Sequence, residues 1–350
     1  MRTLKADNLI AVVTTVMQAG GSLPAEARTI ARRLVESNLV GHDSHGVLRV
    51  SKYLEWVHEG WLVPNAKPSI AFDSAALAIV DGNRGFGQVV GEYTTNLGIG
   101  KASKSGIAMI GLRNCGHLGR LGDWAEMAAA AGQVSLHFLN TSGAMRVAPY
   151  GGSDRRLSTN PMAVGIPLSG GVPTILDITT SVVAEGKLMV AKNKGEHVPE
   201  GWIVDKHGKP TTDPVEFYDG GSLLTIGGHK GSGLSIVTDL LAGAFTTGRS
   251  SDPDDRVLRN NMLSIFIDPG VYDPDGGALK EAQRFVDFVK ASPPADAAMP
   301  VLAPGEMERR TRASRLANGI PVDDKSYADL VLAAQSVGID AARVEALATG

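Results

Sequence analysis

Gly85-Phe86-Gly87-Gln88-Val89-Val90-Gly91 sits between an apolar run, Ala76-Leu77-Ala78-Ile79-Val80, and a segment with helical character from about Gln88 to Ser105. A dinucleotide-binding Rossmann fold would put its phosphate loop at such a strand-to-helix turn. The spacing is one residue too long for that. The fingerprint needs G-x-G-x-x-G and an acidic residue about 20 positions on, at the end of the next strand. Here the next apolar run, Ala108 to Leu112, leads into Arg113 and Asn114. The glycines are better read as a turn that lets a helix pack closely, and the chain as α/β (α+β) without a Rossmann sheet.

On the N-terminal side the pattern is helical. Leu9, Ile10, Val13, Val16 and Met17 recur at helical spacing behind Asp7 as the N-cap, and Pro24 suits the first turn of a helix running towards Gly41. The pattern continues over 51–58 and changes at Pro64 to Pro68. Strand-like runs then dominate at 134–139, 162–166, 174–178 and 262–267, with a helix over 231–246 and an acidic, proline-containing loop at 250–255 as the linker candidate. Beyond Pro269 the helical period returns at 278–291, 305–317, 326–336 and 341–348. This predicts a helical lobe from residues 1–69 plus 272–350, a β-rich lobe from 70–271, and an active site in the cleft between them.

Composition narrows the class. The 350 residues are 43% hydrophobic and 20% charged with a formal net charge of -3, which lacks the basic excess that nucleic-acid phosphates demand. The single cysteine, Cys115, excludes an internal disulfide framework and fits a reducing compartment. Asp7 breaks any secretory pattern begun by Arg2 and Lys5, and no run approaches about 18 apolar residues. The expectation is a cytoplasmic protein without a membrane partner.

Four clusters carry chemistry. In His42-Asp43-Ser44-His45-Gly46-Val47-Leu48-Arg49, a continuous helix would align His45, Arg49 and Tyr53 on one stripe. That stripe joins a proton donor suited to neutral pH with a fork for a carboxylate, the needs of an enzyme acting on a small organic acid. His42 and His45 as metal ligands lack accompanying histidines or cysteines, and Ser44 as a nucleophile lacks a G-x-S-x-G elbow. The second cluster is Asn114-Cys115-Gly116-His117-Leu118-Gly119-Arg120, in which Cys115 reads as a passive thiol beside His117. The third pairs Leu157-Ser158-Thr159-Asn160-Pro161 with Leu176-Asp177-Ile178-Thr179-Thr180-Ser181. It is either a cradle for ribose and phosphate oxygens or a helix start capped by Asp177 or Thr179. The fourth, Gly227-Gly228-His229-Lys230-Gly231-Ser232-Gly233, opens a helix with exposed N–H groups that favour an anion such as a pyrophosphate, without forming a Walker motif.

Together with Gly186-Lys187, Pro199-Glu200-Gly201-Trp202 and the run from Gly208 to Pro214, these clusters resemble the malate/L-lactate dehydrogenase family. That family is of the non-Rossmann type and includes ureidoglycolate dehydrogenase, diketogulonate reductase, sulfolactate dehydrogenase and cyclic imino-acid reductases. The likeness spans residues 1 to about 320. It implies a β-rich NAD(P)-binding lobe beside the helical one, and interconversion of a small 2-oxo acid and 2-hydroxy acid by a homodimer using NAD or NADP. It puts the proton-transferring histidine on His45, the substrate-carboxylate arginine on Arg49, the second catalytic histidine on His117 and a catalytic carboxylate on Asp177. Ser44, Tyr53 and Thr159 would line the substrate. Cofactor contacts would fall on Thr141, on Asp177, Ile178, Thr179, Thr180 and Ser181, on His229 and Lys230, and on Pro304, Gly305 and Glu306, with no metal. The chain departs from the family at Cys115-Gly116 and at His229. Competing expectations are a reductase of cyclic imino acids, a metal-dependent hydrolase built on His42, His45, His117 and Asp177, and a non-enzymatic binding module.

Overall fold

The structure, a computed structural model, describes residues 2–350 apart from 256 and 297. At its centre lies a seven-stranded mixed sheet. In chain order the strands are β1 (Ser69–Asp73), β2 (Leu77–Asp81), β3 (Ile107–Cys115), β4 (Val134–Ser142), β5 (Met162–Ile166), β6 (Thr174–Ile178) and β7 (Arg259–Ile267). They lie side by side as β1-β2-β3-β7-β4-β5-β6. Only β2 and β3 run parallel, and every other neighbouring pair is antiparallel. A doubly wound nucleotide fold needs a mostly parallel sheet, so the Rossmann alternative fails on topology as well as on spacing.

The principal helices are α1 (Ala6–Ala19), α2 (Pro24–Leu39), α3 (Arg49–His58), α4 (Gly87–Ser105), α5 (Gly122–Ala130), α6 (Glu185–Lys194), α7 (His229–Asp239), α8 (Gly277–Lys290), α9 (Glu306–Asn318), α10 (Asp324–Ser336) and α11 (Ala341–Thr349). Helix α4 makes the crossover between the parallel strands, and with α5 it covers one sheet face around Val80, Ile110, Trp124, Leu139 and Phe266. Both chain ends build a second apolar cluster from α1, α2, α3, α10 and α11. There Leu9, Val13, Val16 and Met17 are buried as their period requires, and Arg2–Leu4 pairs antiparallel with Ile320–Val322. A third cluster, including Leu157, Leu188, Phe217 and Leu223, lies under α6 and a small three-stranded sheet. Among the described residues no helix is long and apolar enough to cross a membrane.

Four local expectations need correction. Lys5, not Asp7, is the N-cap of α1 and makes no side-chain cap. Asp7 sits in the first turn, where a carboxylate meets the positive helix end. Neither Asp177 nor Thr179 caps a helix, because α6 begins at Glu185 behind Ala184. The helix expected over 231–246 is α only to Asp239 and continues as a π turn over Leu240–Ala244. The stripe from His45 to Tyr53 is interrupted. Asp43–His45 is a 3-10 turn that ends at Gly46 in extended conformation, and α3 starts at Arg49.

The glycines of the opening motif act through close approach. A Cβ at Gly87 would fall 2.1 Å from the His117 carbonyl oxygen, and one at Gly91 2.5 Å from the Trp124 ring. Gly87→Ala should therefore destabilise the protein by about 1–3 kcal/mol. Gly100→Ala, with nothing within 4 Å of the new methyl, should instead gain about 0.5–1 kcal/mol of helix propensity. Urea unfolding of both variants checks this, and equal effects would contradict close packing at Gly87.

Candidate active site

The turn after β3 gathers the site. Its residues 116–122 meet α3, α4, β7 and β6 through different groups, so each partner comes from a separate part of the chain. The His117 ring lies 5.5 Å from that of His45 between centroids, stacked at 16°. Its Nδ1 is 2.8 Å from the Tyr53 hydroxyl, which accepts from Gln88 Nε2 at 2.7 Å. The Leu118 amide donates to Asn260 Oδ1, and Asn260 Nδ2 donates to Thr141 Oγ1. The Gly122 amide donates to Asp177 Oδ2 at 2.8 Å.

The 3-10 turn carrying His45 is held from two sides. Asn38 donates to Asp43 and accepts from the Val47 amide, and no Cβ fits at Gly46 beside it. Arg315 of α9 forks onto the Asp43 carboxylate at 2.6 and 3.0 Å, while His42 reaches Glu308 at 3.4 Å. His45 Nδ1 lies 3.0 Å from Ser44 Oγ. Arg49 Nε donates to the Ser44 carbonyl at 2.7 Å, and its two terminal nitrogens make no hydrogen bond among the described residues.

Electrostatics follow from this crowding. Burial, then the charge of Arg49, depresses His45 to about 3. The same two causes hold His117 well below the ordinary histidine range, so both rings are neutral at pH 7. Burial pushes the Tyr53 phenol up and the Cys115 thiol up, which leaves Cys115 the passive thiol expected of it. Asp177 is raised by burial, against the pull of Arg120, whose Nε lies 3.8 Å away. Its hydrogen bond goes to the Gly122 amide and not to either imidazole.

The expected cofactor residues fall into connected groups. Thr179 and Thr180 donate their hydroxyls to the Thr159 carbonyl and Ser181 donates to that of Val183, so their remaining capacity is as acceptors. Ser181 bridges to Thr225, whose hydroxyl bonds the Gly228 carbonyl at the start of α7. There Gly227 and Gly228 both take positive φ, and His229 and Lys230 are exposed at the positive helix end. Pro304 accepts from the Ile175 amide, and Gly305 packs against Ile175, which sets Pro304, Gly305 and Glu306 beside β6 two residues before Asp177. The exposed cation at a helix start and the row of acceptor oxygens fit a pyrophosphate and ribose hydroxyls in their chemistry. The His42, His45, His117 and Asp177 set does not assemble as a metal cage: no group of three or more metal-ligating side chains converges among the described residues.

Sequence reasoning missed Gln88, Asn260, Asn38 and Arg315. Gln88 lay inside the rejected fingerprint; Asn260 and Arg315 act across long sequence separations that leave no local mark, and Asn38 holds Asp43 and Val47, five and nine positions on, through a turn that the helical reading of this segment hid.

A family model described as malate/L-lactate dehydrogenase matches residues 4–331. Hydroxycarboxylate dehydrogenase B of Escherichia coli (strain K12) is 40% identical over 343 residues, covering 95% of this chain and 94% of that protein. A solved structure of a putative malate/lactate dehydrogenase from E. coli superposes with a TM-score of 0.95 at 36% identity, over 100% of this chain and 99% of that one. The delta1-piperideine-2-carboxylate reductase from Pseudomonas syringae pvar. tomato superposes with a TM-score of 0.85 at 30% identity, over 97% and 100% respectively.

The depressed His45 carries a pH signature. The unfolded chain takes up a proton on this ring near pH 6.5, and the folded chain resists until about pH 3, so folding stability falls as pH drops through that window. His45→Gln removes this component. The wild-type minus variant difference in unfolding free energy should therefore decline below pH 6.5, by no more than about 1.4 kcal/mol per pH unit. A difference that stays flat between pH 7 and 4 in urea titrations would contradict a neutral, half-buried ring.

Proposed function

The chain belongs to the malate/L-lactate dehydrogenase family and is an oxidoreductase acting on the CH–OH group of hydroxy acids. From that premise we propose that it interconverts a small 2-hydroxy acid and its 2-oxo acid with NAD or NADP, in a cleft between the helical end-lobe and the β-rich lobe. The observation that carries this reading is Arg49. Its terminal nitrogens are unspent beside two stacked neutral imidazoles, which is an arrangement awaiting a carboxylate with a reacting oxygen next to it.

In this proposal Arg49 binds the substrate carboxylate, with Ser44 and Thr159 lining the pocket. Burial is the larger cause of the depression of the two rings; binding of that anion offsets the second, the arginine charge, and so raises the basicity of the imidazole once substrate is present. His45 accepts the hydroxyl proton during oxidation and returns it during reduction. The nicotinamide, when bound, supplies hydride acceptance and donation at the carbinol carbon. Asp177 acts through the turn at Gly122, and with Ile178, Thr179, Thr180 and Ser181 it would hold the cofactor. His229, Lys230, Thr141 and Pro304, Gly305 and Glu306 complete that set. The buried single cysteine accords with a cytoplasmic setting.

A second reading, reduction of a cyclic imino acid, draws on the structural likeness to the piperideine-2-carboxylate reductase. The same arginine and histidine would serve it. Assays of 2-hydroxy acids with each oxidised cofactor, and of 2-oxo acids and cyclic imino acids with each reduced one, separate the two. Turnover of imines alone would overturn the hydroxy-acid proposal.

We also propose a homodimer. Helix α8 buries none of its residues, and Phe285, Phe288 and Val289 stand 56%, 70% and 41% exposed along it, a face that a second subunit would cover.

Two predictions follow from these roles. Arg49→Ala should raise KM for the acid on the order of 10- to 100-fold, the loss of a charge-assisted clamp. His45→Ala should lower kcat about 10²-fold or more with KM little changed. If His45→Ala retains near-native turnover while His117→Ala abolishes it, the proton belongs to His117. For assembly, Phe288→Glu should yield monomers in light scattering at micromolar concentration, and an unaltered dimer would remove α8 from the interface.

A further inference from the structure

Gln88 stands in the first turn of α4 with 1% exposure, and Tyr53 on α3 is buried equally. A phenol has one hydrogen. Because the Tyr53 oxygen accepts from Gln88 Nε2, that hydrogen is free to go to His117 Nδ1, 2.8 Å away. A neutral imidazole whose Nδ1 accepts must carry its proton on Nε2. The reversed amide would satisfy Gln88 Oε1, which is buried and unpartnered, but it would strand two amide hydrogens in the same buried space. The charged and titratable groups facing His117 are Arg49, His45 and Tyr53, and those facing Tyr53 include Arg49 and Cys115. Among these described neighbours no carboxylate is present to hold a proton on Nδ1.

We propose that Gln88 is a positioning residue that fixes the proton of His117 on Nε2 by directing the Tyr53 hydroxyl onto Nδ1. His117 then serves the reaction as a neutral N–H donor to the substrate oxygen, which it polarises and orients, while the proton itself moves through His45. This role rests on the hydroxy-acid reading above, but the state of the ring does not.

The test uses the full-length protein labelled with 15N-histidine. Proton–nitrogen correlation spectra report the tautomer of each ring, and His117→Asn identifies the signal. The wild type should show the Nε2–H form. In Gln88→Glu the ionised carboxylate can only accept, so it takes the Tyr53 hydrogen, Tyr53 accepts from Nδ1–H, and the tautomer inverts. Turnover should fall about 10- to 100-fold. As pH is lowered and the introduced carboxyl protonates, its O–H can again donate to Tyr53. Tautomer and activity should then recover together in a titration step that wild type and Gln88→Met both lack. An Nδ1–H ring in the wild type, or an unchanged Nε2–H ring in Gln88→Glu at every pH, would overturn the inference. Should Gln88→Glu not fold, Tyr53→Phe serves: it should release His117 into mixed tautomers and leave Gln88→Met without further effect, and a ring still held as Nε2–H would overturn the inference equally. Absence of hydroxy-acid turnover combined with the expected spectra would refute the catalytic assignment and leave the tautomer control standing.

Discussion

The backbone of His117 passes the first turn of α4 so closely that a single methyl group at Gly87 has no room. That approach is the constraint on which the site depends. It ties the turn after β3 to the helix that precedes β3 in sequence, and so places the Gln88 side chain and the His117 ring on opposite sides of the Tyr53 hydroxyl. The same turn is closed at its start by Gly116, where a Cβ would meet the Gly85 carbonyl oxygen at 2.7 Å. With the turn fixed from below, its amides are free to hold Asn260 and Asp177, which reach Thr141 and the end of β6. A polar network of this kind stiffens the position of its members because each buried group has one satisfactory arrangement.

Electrostatics complete the opposite wall. Helix α9 reaches across to the 3-10 turn and its N-cap through Arg315 on Asp43 and Glu308 on His42, and to α2 through Arg312 on Glu36. The Arg315 guanidinium is the best shielded of the three cationic partners, with 17% side-chain exposure, and its bidentate geometry fixes orientation as well as distance. The chain that leads into α9 carries Pro304, Gly305 and Glu306, so one helix joins the proposed cofactor contacts to the segment bearing His45 and Arg49. Among the described residues neither imidazole has a carboxylate as a hydrogen-bond partner, so burial and the neighbouring guanidinium dominate and the rings stay neutral.

Much of this was legible in the sequence. The failed spacing at Gly85 to Gly91 argued against the Rossmann sheet, and the sequence pattern located α1, α4, α10 and every sheet strand except β1 to within a few residues; β1 exposes all of its residues and so carries no core-facing signal. Caps and breaks were less legible. Asp7 has the right residue type for a cap, yet Lys5 takes the position. Gly46 and the Asn38 amide turn the chain out of the helix that would have aligned His45 with Arg49 and Tyr53. The clusters around His45, His117 and Asp177 were visible as local chemistry, and the stacking of two histidines 72 positions apart was not. Gln88, Asn260 and Arg315 act through contacts that only the fold creates, so no local pattern could mark them.

Transfer of the carbinol hydrogen tests the central claim most directly. A 2-hydroxy acid carrying deuterium at C2 is incubated with the protein and each oxidised nicotinamide cofactor, and the reduced cofactor is analysed by mass and by proton resonance. Hydride transfer predicts one deuteron on the nicotinamide ring for each oxo acid formed and none in the water. Deuterium released to solvent, or oxo acid formed without reduced nicotinamide, would contradict it.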